Sequence, residues 1–239
     1  MSYFCGGIDS PHALLEIAAK RSPGIAPVNI FGFNRLVGTS FETIWNYGGT
    51  ITIPTTEAQL SVVSSNAGDS MQVLIEGVDE NYNVVYDVVT LNGLTPVTTT
   101  NSFMRVNNAV ILSGSNAGNI TISHSGNVIE YIDAGIGLKQ TCNYTIPAKH
   151  ALFIFRISLT SGTVKGNKYI TYRNRIDAAN GRILRVAEAT WQNDMQTFDR
   201  QIPFRVDEKN HFQFEAKSSG SQNEVSIFVE ALLMRMKEE

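Results

Sequence analysis

Charge is what this chain has least of. Asp, Glu, Lys and Arg make up 17% of its 239 residues, against roughly 25% in an average soluble domain. With 19 basic and 22 acidic residues the net charge is −3. That excludes a general grip on nucleic acid, which needs clustered Lys and Arg to neutralise phosphates. Cysteine is almost missing: Cys5 and Cys142 are the only two. So few exclude a disulfide scaffold and read as free thiols of a reducing compartment, with a single long-range bridge left open. No run approaches the roughly 18 apolar residues of a membrane span, so no membrane contact is expected. The N-terminal stretch from Met1 to Gly7 lacks the basic and apolar regions of a signal peptide.

Catalytic signatures are missing as well. His12, His124, His150 and His211 stand at no metal-ligand spacing from one another or from a cysteine. No nucleophile elbow, zinc-protease, Walker or dinucleotide-binding motif occurs. Gly135-Ile136-Gly137 lacks the third glycine and reads as a turn. The acidic loops at 79–81 and 207–210 are ordinary hairpin chemistry before they are Ca²⁺ sites. No catalytic, metal or cofactor residue is assigned, no cofactor is implied, and an enzyme is not expected.

In place of charge the chain carries Thr, Ser, Asn, Gly and Val, the vocabulary of strands and tight turns. Its length allows one large domain or two modest ones. Runs at 60–65, 71–78, 84–91, 97–100, 103–106, 110–113 and 120–123 are separated by turn residues, among them Asn92-Gly93, the strongest hairpin signal present. A second set follows at 128–132, 151–159, 168–173, 183–186, 198–205, 209–217 and 225–233. Ser-Asn-Ala-Gly occurs at 65–68 and again at 115–118, and is read as shared turn chemistry. The spacing predicts an all-β protein of two antiparallel β-sandwich or barrel domains. The first domain is placed at 43–124 and the second at 125–239, split at the polar turn 123–127.

Residues 1–42 differ. Ser10-Pro11 opens a short helix that Ser22-Pro23-Gly24 closes. The apolar run from Ile25 to Leu36 is interrupted by Pro27 and Gly32, which argues against a regular central strand. An extended N-terminal arm without a core of its own is expected, carrying the one short helix and lying either on its own domain or on a neighbouring subunit. Its side chains Ile25, Val28, Ile30, Phe31, Phe33 and Leu36 are candidate interface residues. Arg173, Arg175 and Arg182 join that set, because they fall in a basic stretch at 165–185 together with Lys165, Lys168 and Arg185. The stretch is read first as two edge strands whose outward residues discourage aggregation, and second as a surface for an acidic neighbour or packaged DNA. Trp45 and Trp191 could stack on sugars, but Trp45 reads as core.

Several stretches resemble a virion protein of tailed phages, of the type seen in phages of cyanobacteria and other aquatic bacteria. They are Phe41-Glu42-Thr43-Ile44-Trp45 with Gly48-Gly49, Leu60-Ser61-Val62-Val63-Ser64-Ser65, and Val73-Leu74-Ile75-Glu76-Gly77-Val78-Asp79 with Tyr82-Asn83. They continue through Val88-Val89-Thr90-Leu91-Asn92-Gly93, Thr95-Pro96-Val97-Thr98-Thr99-Thr100, Phe103-Met104-Arg105-Val106-Asn107 and Gly118-Asn119-Ile120-Thr121-Ile122. Tyr144-Thr145-Ile146-Pro147-Ala148 looks like the start of that family's second domain. The resemblance spans 41–123, is looser beyond, and leaves 1–40 uncovered. It implies a virion structural role without an active site, with a capsid decoration or cement protein, assembled in the host cytoplasm, as the first reading. The implied partners are the major capsid protein, other virion proteins and further copies of the chain as a homo-oligomer, with no specific nucleic acid. A tail, neck or baseplate component is the alternative, and a carbohydrate-binding module a more distant one.

Overall fold

The computed structural model describes residues 11–162, 169–191, 194–220 and 222–236. Helix α1 (Pro11–Ala18) is followed by β1 (Ile25–Val37), β2 (Glu42–Thr43), β3 (Ala58–Ser64), β4 (Gln72–Val78), β5 (Val84–Thr90), β6 (Val97–Phe103), β7 (Arg105–Ile111), β8 (Ile120–His124) and β9 (Asn127–Ile132). Then come β10 (Asn143–Thr145), β11 (His150–Ser161), β12 (Ile170–Asp177), β13 (Ile183–Leu184), β14 (Glu188–Trp191), β15 (Asp194–Val206), β16 (His211–Ser218) and β17 (Asn223–Arg235). The architecture is all-β and antiparallel, as the spacing of runs and turns predicts. Pro11 takes the first helical turn, where its missing N–H costs nothing.

The first sandwich packs a sheet ordered β6-β3-β8-β9 against a sheet ordered β5-β4-β7. Alternation places Leu60 and Val62 of β3, Ile120 and Ile122 of β8, and Val73 and Ile75 of β4 in one core. Each such side chain, fully buried, contributes about 1.5–3 kcal/mol. The two Ser-Asn-Ala-Gly turns lie against each other at one end. Ser65 N–H donates to the Asn119 carbonyl and Asn119 N–H to the Ser65 hydroxyl, both at 2.8 Å. The Asp69 carboxylate sits between the turns, accepting from Ser64 Oγ (2.6 Å) and from the Ala117 and Gly118 amides (2.9 and 3.0 Å).

The second sandwich packs the sheet β1-β17-β11-β15 on the sheet β10-β16-β12-β13, with β14 also pairing β12 and β2 pairing β16. Its core joins Phe212, Phe214 and Ala216 of β16 to Leu152, Ile154, Tyr172, Ile227 and Val229. The N-terminal segment is extended and follows the short helix, as expected, and of the two supports open to it, its own domain or a neighbouring subunit, it lies on its own domain. Residues 25–34 pair continuously with β17, and Ile30 and Val37 are buried in the core. The interrupted composition has its reason in position: β1 is an edge strand, where a proline is tolerated. Gly32 is required because a Cβ there would lie 2.5 Å from that of Cys142. A division at 124/125 would cut the β8–β9 hairpin, which belongs wholly to the first sandwich's sheet. A polar turn inside a hairpin carries the same composition as a linker.

A buried polar layer joins the two sandwiches. The Lys139 ammonium contacts the Glu130 carboxylate at 2.9 Å and the Asn143 carboxamide at 2.5 Å, and both ionic side chains are buried. The Asn107 carboxamide imitates a strand partner for Thr145, donating to its carbonyl (2.8 Å) and accepting from its amide (2.7 Å). Trp45 is buried, and its Nε1 donates to the Gly48 and Gly49 carbonyls at 3.0 and 3.1 Å. It packs in the interior, as its sequence context implies, and offers no sugar platform. The Trp191 side chain lies outside the described ones.

Candidate contact surfaces

Strand β5 is apolar on both faces. Val85 and Val89 point inward to the first core, while Val84, Tyr86 and Val88 on the alternate positions are 59%, 66% and 43% exposed. Register extends this outward row across the sheet: Val88 lies opposite Leu74, and Leu74 opposite Val110. Val110 bridges to Leu138, and Leu138 and Leu112 are both exposed. Strands that are apolar on both faces are ordinarily covered on both sides, and nothing among the described residues covers this one. The free edge of β5, by contrast, is partly occupied by β6 residues. Asp87 accepts from the amides of Thr100 and Asn101 at 2.5 and 2.9 Å, and the Asn101 carboxamide donates to the Tyr86 carbonyl.

At β1 it is the edge that lies open. Backbone groups of a strand alternate between its two sides. Phe33 N–H donates to the Gln140 carbonyl at 3.1 Å, on the side away from β17, so Asn29 and Phe31 direct their backbone groups the same way. They border a groove of about 680 Å³ whose walls include Pro27, Asn108, Leu138, Tyr144 and Leu233. Burial pushes the Tyr144 phenol up to about 12, with Glu76 adding to the effect. Leu138 and Asn108 line this groove and also belong to the outer face beside β5. Edge and face are therefore one continuous surface.

The candidate interface residues separate on this map. Ile25, Val28, Ile30 and Phe31 line the groove, with Ile30 turned into the core. Phe33 is half-buried under the Arg35 guanidinium, and Leu36 is exposed near the far end of β1. The arginines are elsewhere. Arg173 Nε donates to Glu215 at 2.6 Å, and its guanidinium stacks on the Phe41 ring at 3.6 Å. Arg175 bonds Asp177 at 2.7 Å and Glu215 at 3.4 Å. Their strand, β12, is internal to its sheet, between β16 and β13 with β14, so the reading of two edge strands with outward arginines is corrected. Arg175 shares a cleft with Arg105 of the first sandwich, which places it at the joint and not on an open surface. Arg182 and Arg185 are exposed, while Lys165 and Lys168 lie outside the described residues.

Other expected features resolve locally. Cys142 is buried and unbridged, and burial pushes its thiol up to about 12, while Cys5 lies outside the described residues. Asp79 accepts from the Asn81 and Asn83 amides of its own loop at 2.8 Å. Asp207 pairs with Arg205 at 2.7 Å. Among the described residues no group of His, Cys, Asp and Glu is assembled as a metal site, and no helix is long and apolar enough to cross a membrane. Sequence reasoning misses the apolar face of β5, although the run from Val84 to Val89, with Asp87 its one charged residue, is the signal for it.

A scan against protein-family models finds no match, and neither does a search of curated proteins. Solved structures give faint similarity to VP2 of infectious bursal disease virus. The VP2 subviral particle is 11% identical with a TM-score of 0.23, covering 95% of this chain and 82% of that one. The Gt-strain structure is 10% identical with a TM-score of 0.21, covering 95% and 83%. A mutant VP2 from derived T=1 particles is 12% identical with a TM-score of 0.22, covering 95% and 80%. Scores this low transfer no role to the chain.

Proposed function

We propose that the chain is a structural protein of a phage virion, a decoration or cement protein that binds the outer shell and stabilises it by contact without chemistry. The observation that carries this reading is the continuous surface formed by the outward β5-β4-β7 face and the open β1 edge. Exposed apolar rows on a sheet face mark contact sites, and an unpaired backbone edge is a template for pairing with another chain. The sequence resemblance over 41–123 supports the same role. The neighbours proposed are the major capsid protein, other virion proteins and further copies of the chain, and the site of action is the virion. Each contact is modest, and repetition over a symmetric shell supplies the holding strength.

Genome release against temperature tests the role. A decoration protein binds the completed shell and stabilises that state by mass action. Particles lacking it are expected to form with normal geometry and to release genome at lower temperature. Heads of undiminished toughness on non-infectious particles would overturn the cement reading in favour of a tail, neck or baseplate component.

A further inference from the structure

The sheet β1-β17-β11-β15 ends in two edge strands of different shape. On β15, Asp199 pairs with Arg156 and Phe204 with Ile154, so Arg200, Gln201, Ile202 and Pro203 oppose Phe155 alone. Surplus residues in one strand push it out as a bulge. At that bulge Ile202 is 84% exposed, more than any other large apolar side chain among the described residues. A bulge can protect an edge from pairing, but a protected edge carries charge, and this one presents isoleucine. Pro203 has no N–H to offer a ladder, so the bulge meets a neighbour by its side chains. The β1 edge is concave by contrast, bordering the groove of about 680 Å³ with Phe31 and Leu138 in its walls. Register places the two at one height. Phe204 aligns through Ile154 and Ala231 with Val28, and Phe198 through Ile157 and Val229 with Ile30. The bulge lies between those rows, level with the open stretch of β1 on the opposite edge.

We propose that the β15 bulge of one copy of this chain seats in the β1 groove of the next, with Ile202 against Phe31 and Leu138. The proposal rests on the reading of the β1 edge as a contact surface, and it names the occupant as a second copy. All pairings in the sheet are antiparallel, so β15 runs opposite to β1. Copies in the same orientation, turned about an axis along the strands, therefore bring bulge to groove without sliding. An apolar tip enclosed by an apolar groove is the central anchor that such a contact needs. Charge agrees with this pairing. Arg200 stacks on the Phe204 ring at 5.5 Å and forms no ion pair among the described residues. Glu76, lining the groove, accepts from Asn108 Nδ2 at 2.9 Å and meets no cation among the described residues. A contact between two different patches is heterologous: it closes a ring or continues as a file, and does not stop at two copies.

Sedimentation velocity of the full chain over a range of concentrations tests the contact. The wild type is expected to associate beyond the dimer as concentration rises. Ile202→Asp disables the bulge, and Leu138→Asp places a carboxylate in the groove; both positions are exposed. Each variant alone is expected to stay monomeric. Their equal mixture is expected to form one-to-one dimers and nothing larger, since one intact bulge and one intact groove remain. Should Leu138→Asp fail to fold, Glu76→Arg takes its place. A monomeric wild type, self-association of either variant alone, or a mixture without dimers overturns the proposal. Shell binding and genome release play no part in this readout, so its failure is distinct from failure of the cement role.

Discussion

At the scale of single residues, Asp69 is the side chain on which the first sandwich's turns depend. Burial alone would raise its pKa, but the Ser64 hydroxyl and the Ala117 and Gly118 amides outweigh burial and hold it below the ordinary carboxylate range. Asp69→Asn keeps the shape and turns an acceptor into a donor facing donors, so a loss of about 2–4 kcal/mol is expected in urea unfolding. The sign of the pH effect follows from the depressed pKa. Asp69's contribution is fully present above the unfolded carboxylate value of about 4, and it is lost as pH falls through the lower folded value. The Asn variant is expected to lack that part of the acid response, which urea midpoints measured across the acid range would show.

At the scale of elements, β1 and β5 invert the simplest reading of their sequences. β1 looks like a loose arm and is a sheet strand; β5 looks like a core strand and is half uncovered. Removing residues 1–40 would strip Ile30 and Val37 from the second core and expose the backbone of β17. The truncated chain is expected to aggregate or to lose the near-ultraviolet circular dichroism of a packed β protein. A soluble, fully folded product would refute the structural role of β1. The paired change Tyr86→Asp with Val88→Asp touches only outward positions, so its urea midpoint is expected to stay near that of wild type. Binding to shells, measured by co-sedimentation, is expected to disappear, because the carboxylates would be desolvated against an apolar partner surface.

At the scale of the whole molecule, the polar joint decides whether the two sandwiches behave as one body. Lys139, Glu130 and Asn143 form an interior network, and such networks are costly to break by halves. Lys139→Met leaves the Glu130 carboxylate buried without its cation, a loss of about 3–5 kcal/mol. The wild type is expected to melt in a single calorimetric transition, and Lys139→Met combined with Asn107→Ala to split it in two. One undivided transition in the double variant would show that apolar contact alone couples the sandwiches.

Strand periodicity, turn residues and the scarcity of charge suffice for the all-β antiparallel architecture, because alternation and turn chemistry act over a few residues, although Asn92-Gly93 turns the chain from β5 to β6 in the other sheet and makes no hairpin. The positions of β4, β5, β8, β11, β16 and β17 are legible for that reason, as is the buried state of Trp45. Pairing over long separations is not legible. Whether Ile25 to Leu36 lies free or joins β17, at the other end of the chain, depends on an open sheet edge that no local pattern records. The arginines of β12 likewise read as a surface row until Glu215 of β16 and Phe41 are seen beside them. Composition settles which segments are extended; only packing decides which of their two faces, and which of their two edges, is left for a partner.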